Sequence, residues 1–264
     1  MAQVTSGQAT AAAEEADLVE SIAPDVSHIA TEDDIPVDNF GSEKQQRLAT
    51  EPLYSSWSGP EGRPLFLVAA NVGLFRSPNL PPIVPDVFLS LDVTAPDDWW
   101  EKRQRTYFVW QFGKVPEVVV EIVSNRKGSE DESKMAEYAR MRIPYYVIFD
   151  PIKQLREQIL TVYALTPRSE YEEISGNYLA GVELGLKLWE GEFEGKMATW
   201  LRWTDANGRL IPTGKERADL AQTEAEQERL RAETAEQRAE TAEQRAEQLA
   251  AKLRALGIDP DDNS

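Results

Sequence analysis

A single carboxylate interrupts a run of branched apolar residues, Val118 Val119 Val120 Glu121 Ile122 Val123. The run reads as a buried strand, and a charge inside such a strand costs several kcal/mol unless something binds it. A polar turn follows at Ser124. Next comes a helical stretch that places Lys134 and Tyr138 one turn apart, then a second apolar run, Tyr145 to Phe149, ending in Asp150.

The strand holds no second ionisable residue, so the partner of Glu121 comes from elsewhere in the chain. Asp86 is the nearest upstream candidate, at the start of the apolar run Val87 Phe88 Leu89 and directly after Val84 Pro85. Two carboxylates meeting from adjacent strands repel unless a proton or a cation lies between them. Hard oxygen ligands suit Mg²⁺, which takes one or two carboxylates and keeps several waters. Lys134 shares a helix face with Tyr138 and Met141 and therefore points inward, toward the same place. Taken singly, an Asp after a proline is a common turn residue, and a helix lysine is commonly solvated or snorkelling. Glu121 is the sharper signal, because carboxylates are almost never fully buried without a partner. Asp150, before Pro151, reads as a strand terminator.

The order Pro85 Asp86, Glu121 in an apolar strand, the Ser124 turn, Lys134, Tyr138 and the strand Pro144 to Asp150 resembles the Uma2 family over roughly residues 40–205. The resemblance implies the PD-(D/E)XK fold: α/β, a restriction-endonuclease-like mixed sheet with flanking helices. It implies a metal-dependent endonuclease that hydrolyses phosphodiester bonds in nucleic acid, DNA first, with Mg²⁺ or Mn²⁺ as cofactor. Asp86 and Glu121 would hold the metal, with the Ile122 carbonyl as a further ligand. Lys134 would orient water or stabilise the developing oxyanion, and Tyr138 would pack against Lys134 and position it. The wider superfamily carries its lysine two residues after the glutamate, where this chain has Val123; in the Uma2 pattern the helix supplies it, so Lys134 matches. Glu43 could serve as a third acid, as the first helix does in some superfamily members, or could simply be a helix N-terminal carboxylate. The rival reading is a catalytically silent assembly or regulatory module with a nuclease fold, working through its C-terminal helix.

The chain has 264 residues, no cysteine and one histidine, His28, which excludes Cys/His zinc sites, thiol catalysis and a Ser-His-Asp triad. No apolar run approaches the roughly 18 residues of a membrane span and no secretory leader is evident, so a cytoplasmic protein is expected. A net charge of −18 opposes nucleic-acid binding. Its distribution softens that objection. Residues 1–40 hold nine acidic and no basic residues, 215–257 hold eight basic and ten acidic, and Asp259, Asp261 and Asp262 follow. That leaves −4 for residues 41–214, part of it in the acidic pair itself.

Four zones are expected: a disordered acidic tail over 1–40, one globular domain over 41–214 with all seven Trp, a helical heptad repeat over 215–257, and a disordered tail over 258–264. Within the domain, a helix is expected from Ser42 (as cap) to Trp57, and another from Ser129 to Arg142, with Glu130, Asp131 and Glu132 in its first turn. Strands are expected at 64–70, 86–91, 117–124 and 145–150, and an edge strand at 158–164. Trp99 and Trp100 beside Lys102, Arg103 and Arg105 read as a lid packed on the core, in preference to a base-stacking loop. Trp189, Trp200 and Trp203 read as core or rim. Over 231–251 the seven-residue repeat puts Ala232, Ala235, Ala239, Ala242, Ala246, Leu249, Leu253 and Leu256 at a and d positions. Alanine seams bury little area, so either a weak homodimer through residues 215–257 or a lone charged helix follows.

Overall fold

The structure of the chain, a computed structural model, describes residues 39–124 and 128–255, the side chains of 128–132 excepted. The expected tails, 1–38 of the first and all of the second, lie outside the described residues, as do Leu256 and the side chains of Ser129, Glu130, Asp131 and Glu132. The described residues divide into two compact units, with the boundary between 213 and 214.

The first unit is built on a six-stranded sheet in the order β1 (Phe66–Ala70), β3 (Val87–Leu91), β5 (Val118–Ile122), β6 (Tyr145–Phe149), β7 (Leu160–Leu165), β8 (Tyr171–Glu173). Only β5 and β6 run parallel; the other neighbours are antiparallel. A parallel pair needs a long crossover, and the helix Gly128–Met141 lies on it. The other elements are a helix Phe40–Ser56 (α1), a short helix Val109–Phe112 (α2), the pair β2 (Leu74–Phe75) and β4 (Tyr107–Phe108), and a sheet of β9 (Tyr178–Leu179), β10 (Leu184–Phe193) and β11 (Lys196–Thr204). The crossover helix is thus α3. This is the restriction-endonuclease-like α/β arrangement: a mixed multi-strand sheet with helices on its flanks.

Every residue of β3 and β5 is buried because both sheet faces are covered, which explains why these strands read as continuous apolar runs. Val118, Val120 and Ile122 point to one face with Leu53, Val87, Leu89, Trp203 and Leu184. Val119 and Val123 point to the other with Tyr138, Met141, Phe88, Tyr107 and Tyr146. By the two-residue period of a strand, Glu121 belongs to this second face, under α3. Each fully buried Val, Leu or Ile contributes about 1.5–3 kcal/mol by leaving water.

Three expectations need correction, and one element went unanticipated. Asn39, not Ser42, caps α1: its side-chain oxygen accepts the Ser42 N–H at 2.9 Å, satisfying a first-turn donor and placing Ser42 inside the helix. The strand at 160–165 is interior, since β8 pairs outside it. The hairpin β10–β11 escaped notice because charged and small residues break the alternation of Leu184–Phe193. Trp99 and Trp100 are 56 % and 87 % exposed and form no packed lid; Trp200 and Trp203 are core. Asp150 does end its strand: its buried carboxylate accepts the N–H groups of Gln154, Leu155 and Arg156, fixing the turn that follows.

The second unit is one helix, α4 (Gly214–Ala255), with no buried residue. Charged pairs line it, as between Lys215 and Asp219 at 2.6 Å and Arg229 and Glu233 at 3.6 Å. Among the described residues no helix is long and apolar enough to cross a membrane.

Candidate active site

Strand register brings the two acids together. β3 and β5 pair with Val87 opposite Val120, so the next position along places Asp86 opposite Glu121, on the same face of the sheet. Regular pairing of β3 stops at Val87, which leaves the Ile122 N–H without a strand partner on that edge. Asp86 supplies one: its Oδ2 accepts the Ile122 N–H at 2.6 Å. Backbone N–H and C=O of one strand residue leave on the same edge, so the Ile122 carbonyl is directed to the Asp86 side as well.

The crossover helix brings two more groups. Lys134 and Tyr138 stand four apart on one face of α3, and both reach Glu121. Lys134 Nζ donates to Oε2 at 2.7 Å and to the Val84 carbonyl at 3.2 Å. The Tyr138 hydroxyl donates to Oε1 at 2.5 Å. The polar contact of Tyr138 is thus with the carboxylate that Lys134 also holds. Glu121 is 5 % exposed. Burial raises its pKa to about 7, with the Asp86 charge adding to the rise; the Lys134 ammonium and the two hydrogen bonds oppose it. Tyr138 is pushed well above its usual value, first by burial and then by the neighbouring Glu121 charge.

A further residue comes from α1. Gln46 is buried and its Nε2 donates to Asp86 Oδ1 at 3.1 Å and to Asn71 Oδ1 at 3.1 Å, while Asn71 Nδ2 returns a bond to Gln46 Oε1 at 3.0 Å. The Asn71 N–H also donates to the Asp86 carbonyl at 3.1 Å, with Asn71 in the left-handed region at φ 55°. Asp86 is thus held from two sides. Sequence reasoning passed over Gln46 because Glu43 Lys44 Gln45 Gln46 reads as a solvated helix face. Glu43 does lie on such a face, half exposed and paired with Arg47, and the residue that α1 brings to Asp86 is Gln46, three positions on.

Asp86, Glu121 and the Ile122 backbone form an all-oxygen donor set beside a cationic Lys134. That composition fits a hard divalent ion, which binds through one or two carboxylates and waters. Among the described residues no group of three or more His, Cys, Asp and Glu gathers to hold a metal, so protein oxygens would supply only part of the coordination of such an ion and water the rest. The buried Glu121, unfavourable as an anion by itself, is the group such an ion would stabilise.

No curated protein matches the chain. The model of the Uma2 family, described as "Putative restriction endonuclease", matches residues 35–188, a segment containing Gln46, Asp86, Glu121, Ile122, Lys134 and Tyr138. With more than half its length matched, and with an acid pair and a helix-borne lysine meeting on a mixed sheet, the chain belongs to the Uma2 family, the nuclease-like family of that description.

Proposed function

We propose that the centre formed by Asp86, Glu121 and Lys134 hydrolyses phosphodiester bonds in DNA with the aid of Mg²⁺, or Mn²⁺ in its place. The single observation that carries the reading is the convergence on one face of the sheet of two carboxylates and an ammonium, with Lys134 Nζ 2.7 Å from Glu121. Asp86, Glu121 and the Ile122 carbonyl would hold the cation. When bound, such an ion neutralises charge on a scissile phosphate and acidifies the attacking water.

The side chains do the rest. Lys134 offers an ammonium to the charge that grows on phosphate oxygen, or orients the attacking water. Tyr138 fixes Glu121 by its hydroxyl and lies too deep to touch substrate, being fully buried. Gln46 and Asn71 hold Asp86 so that its second oxygen keeps to the strand end. A fixed centre of this kind reduces the reorganisation required as charge develops.

A double-strand cut needs two such centres, and α4 would supply the second by pairing with another copy. Its a and d positions carry small residues, and in a parallel pair the flanking charges complement each other: Glu224 with Arg229, Arg231 with Glu236, Arg238 with Glu243.

Incubation of DNA with full-length protein and Mg²⁺, beside Glu121→Ala protein verified as folded, tests the reading. Cleavage by wild type alone is expected. No cleavage of DNA or RNA by either would favour the rival, a nuclease-fold module that works by assembly.

A further inference from the structure

Beside the acid pair, a cleft of about 580 Å³ opens between the segment 76–84 and α3, and Lys134 forms part of its wall as well as part of the site. A second cation stands on that wall. Arg76 places Nη2 3.2 Å from Oε2 of Glu137, which lies one turn beyond Lys134 on the same face of α3. Glu137 is shared with Arg140, and a guanidinium carries five N–H donors in a fixed fork, more than a shared carboxylate takes up. Arg76 is about one-third exposed, with its side chain at 33 %. Ser133 adds a hydroxyl-bearing residue on the α3 side, and the facing wall is apolar and open to water: Leu80 and Val84 are 40 % and 39 % exposed, with Pro82 and Ile83 between them.

Two cations above an apolar wall match one class of ligand in particular. A nucleotide unit is charged at its phosphate and apolar over the faces of its sugar and base, and arginine suits phosphate because its fork meets two oxygens at once. An apolar peptide would leave both cations desolvated, and a simple anion would not use the wall.

We propose that this cleft binds the nucleic-acid backbone next to the scissile bond, with Arg76 holding the neighbouring phosphate and the Leu80–Val84 segment supporting sugar and base. The inference rests on the phosphodiesterase reading of the Asp86–Glu121 centre. It gives Arg76 a binding role, with Glu137 holding the guanidinium in place until phosphate competes for it.

The test is fluorescence anisotropy of a fluorescein-labelled, random-sequence DNA duplex over a salt series, using full-length protein in EDTA, with Mg²⁺-dependent cleavage of the same duplex measured in parallel. Arg76→Ala should bind more weakly and reduce the slope of log K against log salt by about 1, the signature of one lost phosphate contact. Arg76→Lys should keep most of that slope, and Glu137→Gln, which frees Arg76, should bind at least as tightly as wild type. A wild-type slope in Arg76→Ala, with cleavage intact, overturns the cleft while leaving the nuclease reading standing. If Arg76→Ala does not fold, Glu137→Gln decides: tighter or equal binding supports the proposal, and a clear loss of affinity means the pair is only structural and overturns it. A wild-type protein that neither binds nor cuts DNA removes the nuclease reading and the cleft with it.

Discussion

Glu121 and Lys134, thirteen residues apart in the chain, meet at 2.7 Å across the boundary between a buried strand and the helix that covers it. The carboxylate is buried and the ammonium reaches it from a side chain that is 31 % exposed. One member is therefore fixed by the sheet, while the other can respond to what enters from solvent.

Divalent metal should stabilise the native chain. A ligand bound only by the folded state adds about 2.7 kcal/mol when present at 100 times its Kd, so Mg²⁺ or Mn²⁺ at millimolar concentration should raise Tm in differential scanning fluorimetry. Glu121→Gln should abolish the shift. A wild-type Tm indifferent to both metals would contradict the assignment of Asp86 and Glu121 as ligands.

Lys134→Met retains the aliphatic stem and removes the charge. Cleavage should fall by about 10²–10³-fold, the usual loss when one preorganised electrostatic donor is removed, whereas circular dichroism and the metal-induced Tm shift should survive. Undiminished turnover would exclude a role for this lysine in the reaction.

Tyr138→Phe deletes a hydroxyl bound to Glu121 at 2.5 Å and keeps the ring in the core. A hydrogen bond to a charged group is worth about 1.5–3 kcal/mol, and urea unfolding at neutral pH should show a loss of that order. Because the bond favours the ionised carboxylate, its removal should move the Glu121 titration still higher. A variant as stable as wild type, with an unshifted titration, would mean the hydroxyl does not hold Glu121.

Stability without metal should decline with rising pH. Glu121 has a folded-state pKa raised to about 7 from 4.5, so between those values the native state binds more proton than the unfolded chain. Its contribution is full below about pH 4.5 and is lost as pH rises through about 7, amounting to about 3 kcal/mol for the whole interval. Urea unfolding in EDTA across that interval should show the decline in wild type relative to Glu121→Gln, whose neutral amide does not titrate. Parallel profiles for the two proteins would refute it.

Removal of residues 215–255 should lower the mass found by sedimentation without altering the metal-induced Tm shift. Full-length protein that sediments as a monomer at tens of micromolar would reduce α4 to a solvated single helix, held by pairs such as Arg229 with Glu233.

The parts of this arrangement differ in how plainly the sequence announces them. Glu121 could be read because a carboxylate among valines violates the pattern of a buried strand, and Lys134 because helical spacing puts it with Tyr138 and Met141. Gln46 could not, since an amide on a charged helix looks the same whether it faces water or Asp86. Trp100 was misjudged for a related reason: large aromatic residues usually go inside, and an exposed one is known only from its surroundings. The β10–β11 hairpin depends on pairing between strands, which no single strand encodes.

The contact between Asp86 and the Ile122 N–H bears on how the sheet finds its alignment. Where one face of a strand is wet, a slip by one residue turns apolar side chains outward and is rejected. β3 and β5 are buried on both faces and mostly apolar, so hydrophobicity alone scarcely distinguishes the correct pairing from its neighbours. A slip would, however, carry Asp86 away from the Ile122 N–H that it accepts, or turn Glu121 from Lys134 and Tyr138 into Leu53 and Trp203. The acids of the candidate centre thereby add polar contacts that exist only in the observed alignment of the two middle strands.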